Sequence, residues 1–257
     1  MISAFKHHHI FTSFRYNLYV LIVFLVLSAC SKQPDAQEII DQAIEVHGGK
    51  ILNNAMIAFD FRHKHYTADL NNGAYEYTRS FKDSADVIKD FLHNDDFYRE
   101  INGAKINLPD SMKRKYSSSV NSVHYFALLP KPLNDGAAIK KYLGIGLIKG
   151  QKYHKVQVTF TEEKGGVDHD DVFVYWIHKE NHTMDYLAYK FSVNGGGTRF
   201  REAFNVREIE GVRFADYVNY KYTSLDTPLE HYDELFEDNQ LMELSKIKLK
   251  NIKVTPR

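Results

Sequence analysis

Beyond residue 50 the apolar residues alternate with polar ones, and this period of two predicts β-strands. In the first such segment Ile57, Phe59 and Phe61 alternate with small or charged residues, so one strand face is buried and the other is wet. Asn71-Asn72-Gly73 is typical of a hairpin turn, after which the same phase continues at Tyr75, Tyr77, Arg79 and Phe81. The pattern predicts further strands at Ala85–His93, Phe97–Ile101, Lys152–Glu162, Val172–His178, Met184–Val193, Phe200–Ile209, Val212–Thr223 and Lys246–Val254.

Two segments have helical spacing instead. Asp35 is suited to cap a helix over Ala36–His47, and Gly48-Gly49 ends it. Pro109 opens a second segment, which closes near Leu129-Pro130 because a proline disfavours helix in the residue before it. In this second helix the apolar positions are Met112, Tyr116, Val120, Val123 and Ala127.

Short turns rich in Gly, Asn and Asp join the predicted strands, which favours an antiparallel meander. We therefore predict a mainly β (α+β) fold, in which a curled antiparallel sheet forms a half-barrel. The N-terminal helix packs on this sheet, and the helix at 109–127 lies across its open mouth as a lid. The sequence has no internal repeat and no long linker, so residues 36–257 are interpreted as a single domain.

The residue pattern at the N-terminus predicts that the protein is exported from the cytoplasm. The apolar run Leu18–Leu27 follows Lys6 and Arg15 and precedes Ser28-Ala29-Cys30, the layout of a secretory signal. It resembles a bacterial lipobox, which implies removal of residues 1–29 and acylation of Cys30, with residues 30–35 as a lipidated tether. The alternative is a membrane-spanning helix, but spanning needs about 20 apolar residues. Ser31 is compatible with an outer-membrane location facing the periplasm.

Charge and cysteine content narrow the function classes. The chain has 33 basic and 33 acidic residues, and two of the basic ones lie in the predicted signal, so the rest carries a net charge of −2. The chain therefore lacks the excess of basic residues that is typical of nucleic-acid-binding proteins. The single cysteine excludes an internal disulfide, so stability must come from an apolar core. We predict a monomer that needs no cofactor and works outside the cytoplasm.

Three stretches carry a resemblance to a known family: Ala36–Gly49, and the two late hairpins Val174–Tyr186 and Phe204–Asp216. They resemble the lipoprotein-localisation-factor superfamily, the LolA/LolB-like proteins, and the chain also resembles uncharacterised secreted lipoproteins with a domain of unknown function. The resemblance implies a half-barrel with an apolar concave face that holds acyl chains. No binding residue of a characterised member matches a position in this chain.

The in-phase aromatic and histidine residues are the candidates for lining such a cavity. They are Phe59, Phe61, His63, His65, Tyr75, Tyr77 and Trp176. Residues i and i+2 of one strand share a face, so His63 and His65 are expected to continue the inward face of Ile57–Phe61. With a third ligand such as His93 or His154 they could bind zinc, while the alternative is a hydrogen-bonded pair at the rim.

Other motifs are weaker. The cluster Asp168–Asp171 is either a calcium-binding loop or, more simply, a solvated hairpin tip. The glycines of Gly144-Ile145-Gly146 are in the wrong order for a phosphate loop. Lys113, Arg114 and Lys115 on the second helix either attract anionic head groups or form a wet face.

The leading function is a non-catalytic envelope lipoprotein. It is bound to the membrane through its acyl chains and takes a lipid, or the acyl chain of another lipoprotein, as its ligand. One alternative is a protein–protein interaction module with a filled barrel. Another is a metal-dependent hydrolase built on His63 and His65.

Overall fold

The computed structural model describes residues 33–161, 171–192 and 195–257, of which Asp35–Arg257 belong to one compact unit. Cys30 and residues 168–170 of the predicted acidic loop lie outside the described residues. Among the residues described, none of the helices has the length and apolar character needed to cross a bilayer.

Antiparallel strands dominate the unit. The first group comprises β1 (Asn54–Phe61), β2 (Lys64–Asn71), β3 (Ala74–Asp83), β4 (Asp86–His93), β5 (Phe97–Ile101) and β6 (Ala104–Ile106). The second comprises β7 (Ala138–Ile148), β8 (Gln151–Phe160), β9 (Val172–His178), β10 (Met184–Phe191), β11 (Gly197–Ile209), β12 (Val212–Lys221) and β13 (Met242–Ile247), and β14 (Leu249–Pro256) follows.

These strands form two seven-stranded sheets. The first sheet has the order β14-β1-β2-β3-β4-β5-β6, and the second has the order β13-β12-β11-β10-β9-β8-β7. Only Lys248 separates β13 from β14, so the chain passes directly from one sheet into the other at this seam. The two sheets do not close on each other, because β6 and β7 are end strands. The predicted mainly β fold with an open, curled antiparallel sheet is confirmed.

Both predicted helices are present. Helix α1 (Ala36–Val46) is capped by Asp35, whose Oδ1 accepts a 2.9 Å hydrogen bond from the backbone N–H of Gln37. Helix α2 (Asp110–Ala127) follows Pro109. A third helix, α3 (Tyr232–Glu237), was not predicted, and neither were strands β6 and β7.

Three apolar clusters hold these elements together. We call inner the sheet faces that contact α1 or α2, and outer the opposite faces. Helix α1 packs Ile39, Ile40 and Ala43 against the inner face of the second sheet. The inner face of the first sheet forms a separate cluster, which includes Leu128 at the end of α2. The outer face of the second sheet is covered by Tyr232 of α3.

Gly146 illustrates how closely the outer cluster is packed. A Cβ atom at this position would lie 3.0 Å from Nε1 of Trp176 and still closer to Oδ2 of Asp233. Gly146→Ala is therefore expected to destabilise the protein by about 1–3 kcal/mol through overpacking. Gly136→Ala is the matched control, since a Cβ there meets no atom within 4 Å. Urea unfolding of both variants checks this expectation, and equal stabilities would contradict it.

Candidate functional site

Aromatic side chains cover the inner face of the first sheet. Phe59 is fully buried and stacks on Tyr66 of the neighbouring strand at a centroid distance of 5.4 Å. Tyr75 and Tyr77, two residues apart on β3, stack on each other at 4.3 Å. Phe61 packs against the same cluster. The structure thus brings four of the predicted cavity residues to one face.

Helix α2 covers this face through a histidine. The imidazole of His124 stacks on the ring of Tyr77 at 4.2 Å and meets the rings of Phe59 and Tyr66 edge-on at 5.7 and 5.6 Å. Its Nε2 lies 3.2 Å from the carbonyl oxygen of Thr78, so this nitrogen must be the donor. Its Nδ1 is buried without a hydrogen-bond partner among the described residues.

The surroundings of His124 keep it neutral. Burial is the main cause that lowers its pKa to about 4, and the charge of Arg79 lowers the pKa further, while the hydrogen bond to Thr78 opposes both. Helix α2 therefore rests on the aromatic face through an uncharged imidazole at neutral pH.

A buried ionic triad lies beside this aromatic contact. Asp90 is fully buried and accepts hydrogen bonds from two arginines, from Nη2 of Arg79 at 2.6 Å and from Nε of Arg99 at 2.6 Å. Both arginines also reach α2. Arg79 Nη1 donates to Oγ of Ser119 at 2.7 Å, and the Arg99 guanidinium lies 3.5 Å from the ring centroid of Tyr116. Two cations surround one carboxylate, so the triad has a net charge of +1.

The other side of α2 touches the second sheet. The hydroxyls of Tyr125 and Tyr175 are 2.8 Å apart, and Phe126 packs 5.3 Å from the ring of Tyr189. The guanidinium of Arg201 lies 3.9 Å from the centroid of Phe126. Helix α2 consequently lies between the inner faces of both sheets and fills the space between them with its own side chains.

The expectation for His63 and His65 is corrected by a hairpin. Arg62 has a φ of 56°, and the chain turns at Arg62-His63 between β1 and β2. The alternation therefore restarts after the turn, so that Tyr66 faces inward and His65 faces outward. His65 is exposed and its Nδ1 lies 2.6 Å from Oδ1 of Asp60. His63 is exposed at the turn.

Trp176 also does not line the inner face. It is fully buried in the outer cluster of the second sheet, with its ring 5.5 Å from that of Phe200. Its neighbour Tyr175 occupies the inner face instead, because successive residues of a strand point to opposite faces. The sequence pattern of β9 does not distinguish these faces, since almost every residue from Val172 to His178 is buried.

A surface groove of about 450 Å³ opens at the β1–β2 and β3–β4 ends of the first sheet. Its lining is mostly cationic and histidine side chains with one aromatic ring, namely Asp60, Arg62, His63, Lys64, His65, Ser80, Phe81, Lys82 and Val87. In the part of the chain that the structure describes, three or more His, Cys, Asp or Glu side chains never come together in a way that could hold a metal ion.

The triad and His124 were missed as site residues, although the sequence contains their signal. Arg79 occupies an inward position of the strand pattern, between Tyr77 and Phe81. His124 lies between Val120 and Ala127 on the buried side of the predicted helix. A charged or titratable residue at an apolar position marks a polar contact in the core, but its partner Asp90 lies too far along the chain to be assigned from spacing.

The open, mainly antiparallel fold is the one that the sequence predicted. Solved structures similar to this chain include a LolA superfamily protein from Nitrosomonas europaea, with 11% identity and a TM-score of 0.47 over 87% of this chain and 92% of that one. A DUF1329 family protein from Desulfovibrio piger has 11% identity and a TM-score of 0.43, covering 86% and 93% of the two chains.

A domain from Vibrio parahaemolyticus described as an outer membrane lipoprotein-sorting protein has 12% identity and a TM-score of 0.41, covering 72% and 86%. Among curated proteins no sequence match is found. Residues 15–248 match DUF6503, a family of unknown function, and the chain belongs to this family.

Proposed function

We propose that this protein is a non-catalytic lipoprotein of the cell envelope that binds an acyl chain between α2 and the inner face of the first sheet. The observation that supports this most is the aromatic inner face, covered by one helix that contacts it through the His124 ring and through few buried side chains. Among the side chains of α2, only Val120 and His124 are buried.

Displacement of α2 has a free-energy cost that a bound ligand would have to offset. Moving the helix breaks the hydrogen bonds of Ser119 and His124, whose partners water can satisfy, and uncovers the rings of Phe59, Tyr66 and Tyr77. An acyl chain that takes its place gains about 0.8 kcal/mol for each buried CH2. Ten such groups would contribute on the order of 8 kcal/mol towards offsetting the lost helix contacts.

The proposed location follows from the N-terminal segment. Acylation of Cys30 would hold the protein at a membrane, and the tether 30–35 would place the fold beside it. We propose the outer membrane, with the domain facing the periplasm. A single acyl chain binds a membrane only weakly, whereas two acyl chains give stable anchoring. A lipidated N-terminal cysteine would supply more than one acyl chain.

Native mass spectrometry with lipid extraction tests the proposal on a chain that begins at Ser31. All three apolar clusters lie within Asp35–Arg257, so this chain retains its complete core. We expect a co-purifying lipid mass, or uptake of added fatty acid or phospholipid at a ratio of one per chain. An apo mass that takes up neither would contradict lipid binding.

The filled space between the sheets favours a second function, a protein-interaction module. In that case the contacts of Tyr125 and Phe126 would be permanent, and a partner would bind an outer surface. The apo outcome of the same experiment would favour this function.

A further inference from the structure

The groove at the end of the first sheet has an excess of positive charge. Arg62, Lys64 and Lys82 contribute three cations to its lining, and Asp60 is its single carboxylate. No described carboxylate lies within ion-pair distance of these three cations, whereas the buried arginines Arg79 and Arg99 are both paired with Asp90.

The carboxylate of Asp60 does not neutralise them. One of its oxygens lies 2.6 Å from Nδ1 of His65, and the other accepts a 2.6 Å hydrogen bond from Nδ2 of Asn251. The hydrogen bond from Asn251 is the main cause that lowers the pKa of Asp60, and the hydrogen bond with His65 is the next. Both carboxylate oxygens are therefore occupied by an amide and an imidazole and not by the cations of the groove. The cations of the groove are therefore left to solvent or to a ligand.

The groove is continuous with the buried triad through Phe81. The ammonium of Lys64 lies 4.2 Å from the centroid of the Phe81 ring, and the Arg79 guanidinium lies 5.7 Å from the same centroid. Burial lowers the pKa of Lys64, and the positive charges of Arg79 and Arg99 lower it further. The negative charge of Asp90 raises this pKa, but the net shift is still downward. An anion beside Lys64 would relieve this repulsion.

The same end of the sheet offers an apolar path inward. Phe61 is paired with Lys64 across β1 and β2, and the next inward pair is Phe59 with Tyr66, beneath α2. By strand register Asp60, His65, Ser80 and Lys82 of the groove belong to the outer face, whereas Lys64 and Phe81 belong to the inner face, so the groove spans the end of the sheet. A molecule with its anionic group beside Lys64 could thus place an attached chain along Phe61 towards Phe59.

We propose that the groove binds the anionic phosphate or carboxylate head of an amphipathic lipid whose acyl chain lies on the inner face. Arg62, Lys64 and Lys82 contact the head, and Phe81 covers the first carbons of the chain. The inference rests on the proposed function and specifies its ligand class, an anionic lipid in preference to a neutral one.

The test compares two ligands that differ by one phosphate, 1-monomyristoylglycerol and 1-myristoylglycerol 3-phosphate. Dissociation constants are measured by calorimetry on the chain beginning at Ser31, below the micelle concentration of each ligand. We expect the phosphate ester to bind at least tenfold more tightly, with a preference that declines as salt is raised. The double variant Lys64→Gln/Lys82→Gln is expected to lose this preference and to keep its affinity for the neutral lipid.

Lys152→Gln/Lys179→Gln is the matched control, because it removes the same charge from an exposed position on β8 and from the exposed turn after β9. Lys82→Glu alone serves as a further variant, since this side chain is exposed. The control is expected to retain the preference for the phosphate ester, and Lys82→Glu is expected to reduce it.

The outcomes separate the two proposals. Equal affinity for both lipids, or a preference that survives Lys64→Gln/Lys82→Gln, overturns the headgroup site and leaves lipid binding intact. Glycerol 3-phosphate binding as tightly as the whole lipid would assign the groove to free phosphate esters and also overturn it. If neither lipid binds, the proposed function fails and the headgroup site fails with it.

Discussion

Asp90→Asn is expected to lower the free energy of unfolding by about 3–5 kcal/mol, because it leaves two buried arginines without a countercharge. Asp90 is fully buried, and the side chains of Arg79 and Arg99 are only 4% and 8% exposed. The amide of asparagine keeps the size of the carboxylate but cannot accept four charged hydrogen bonds. Chemical denaturation followed by circular dichroism measures the loss.

Two controls show whether the charge is the cause. Asp69→Asn removes a carboxylate from the exposed pair with Arg257 and is expected to cost far less stability than Asp90→Asn, because water screens exposed ion pairs. The triple variant Arg79→Met/Asp90→Leu/Arg99→Met replaces the whole triad with apolar residues and is expected to recover most of the stability lost in Asp90→Asn. A loss below 1 kcal/mol in Asp90→Asn would contradict the buried triad.

Acidification from pH 7 to pH 4.5 is expected to destabilise the protein and loosen α2. The pKa of His124 is lowered to about 4 in the folded protein, chiefly by burial, and an unfolded histidine titrates near 6.5. The unfolded chain therefore binds more protons between these values, so stability falls as the pH falls through that window. The expected loss is on the order of 2–3 kcal/mol from His124.

His47 adds to the same effect, because burial, followed by the charge of Arg213, lowers its pKa to about 4 as well. His124→Gln separates the two histidines, since glutamine can still donate to the carbonyl of Thr78 but does not titrate. Urea unfolding at both pH values is expected to show a smaller acid loss in this variant. The protection of the Asp110–Ala127 amides against hydrogen exchange, corrected for the intrinsic exchange rate at each pH, is expected to fall at pH 4.5 in the wild type only. Equal acid losses in both proteins would contradict the role assigned to His124.

The strands with strict alternation were predicted well. In β1, Ile57 and Phe59 are buried while their neighbours Ala58 and Asp60 are half-buried, as the period of two requires. Val172–His178 and Phe97–Ile101 were predicted with the bounds that the structure has. Helix α2 was also predicted from its spacing and its flanking prolines.

The errors have physical causes. The β1–β2 hairpin was missed because its turn, Arg62-His63, contains no glycine or asparagine. Arg62 nevertheless adopts the left-handed backbone conformation, which glycine and asparagine adopt most readily. Strand β7 was missed because its glycines interrupt the pattern, although Gly146 is required by the close approach of Trp176. The inner and outer faces of β9 cannot be separated from sequence, since both are buried.

The ligand position proposed for this protein is an acyl chain between α2 and the inner face of the first sheet. Photocrosslinking with a palmitate analogue that carries a diazirine on its chain, followed by peptide mapping, tests it most directly. Saturable adducts are expected on α2 near Val120 and Val123, or on the strands that carry Phe59, Tyr66 and Tyr77. Adducts confined to the outer surface around Phe91 and Tyr98, or beneath α3, would contradict it.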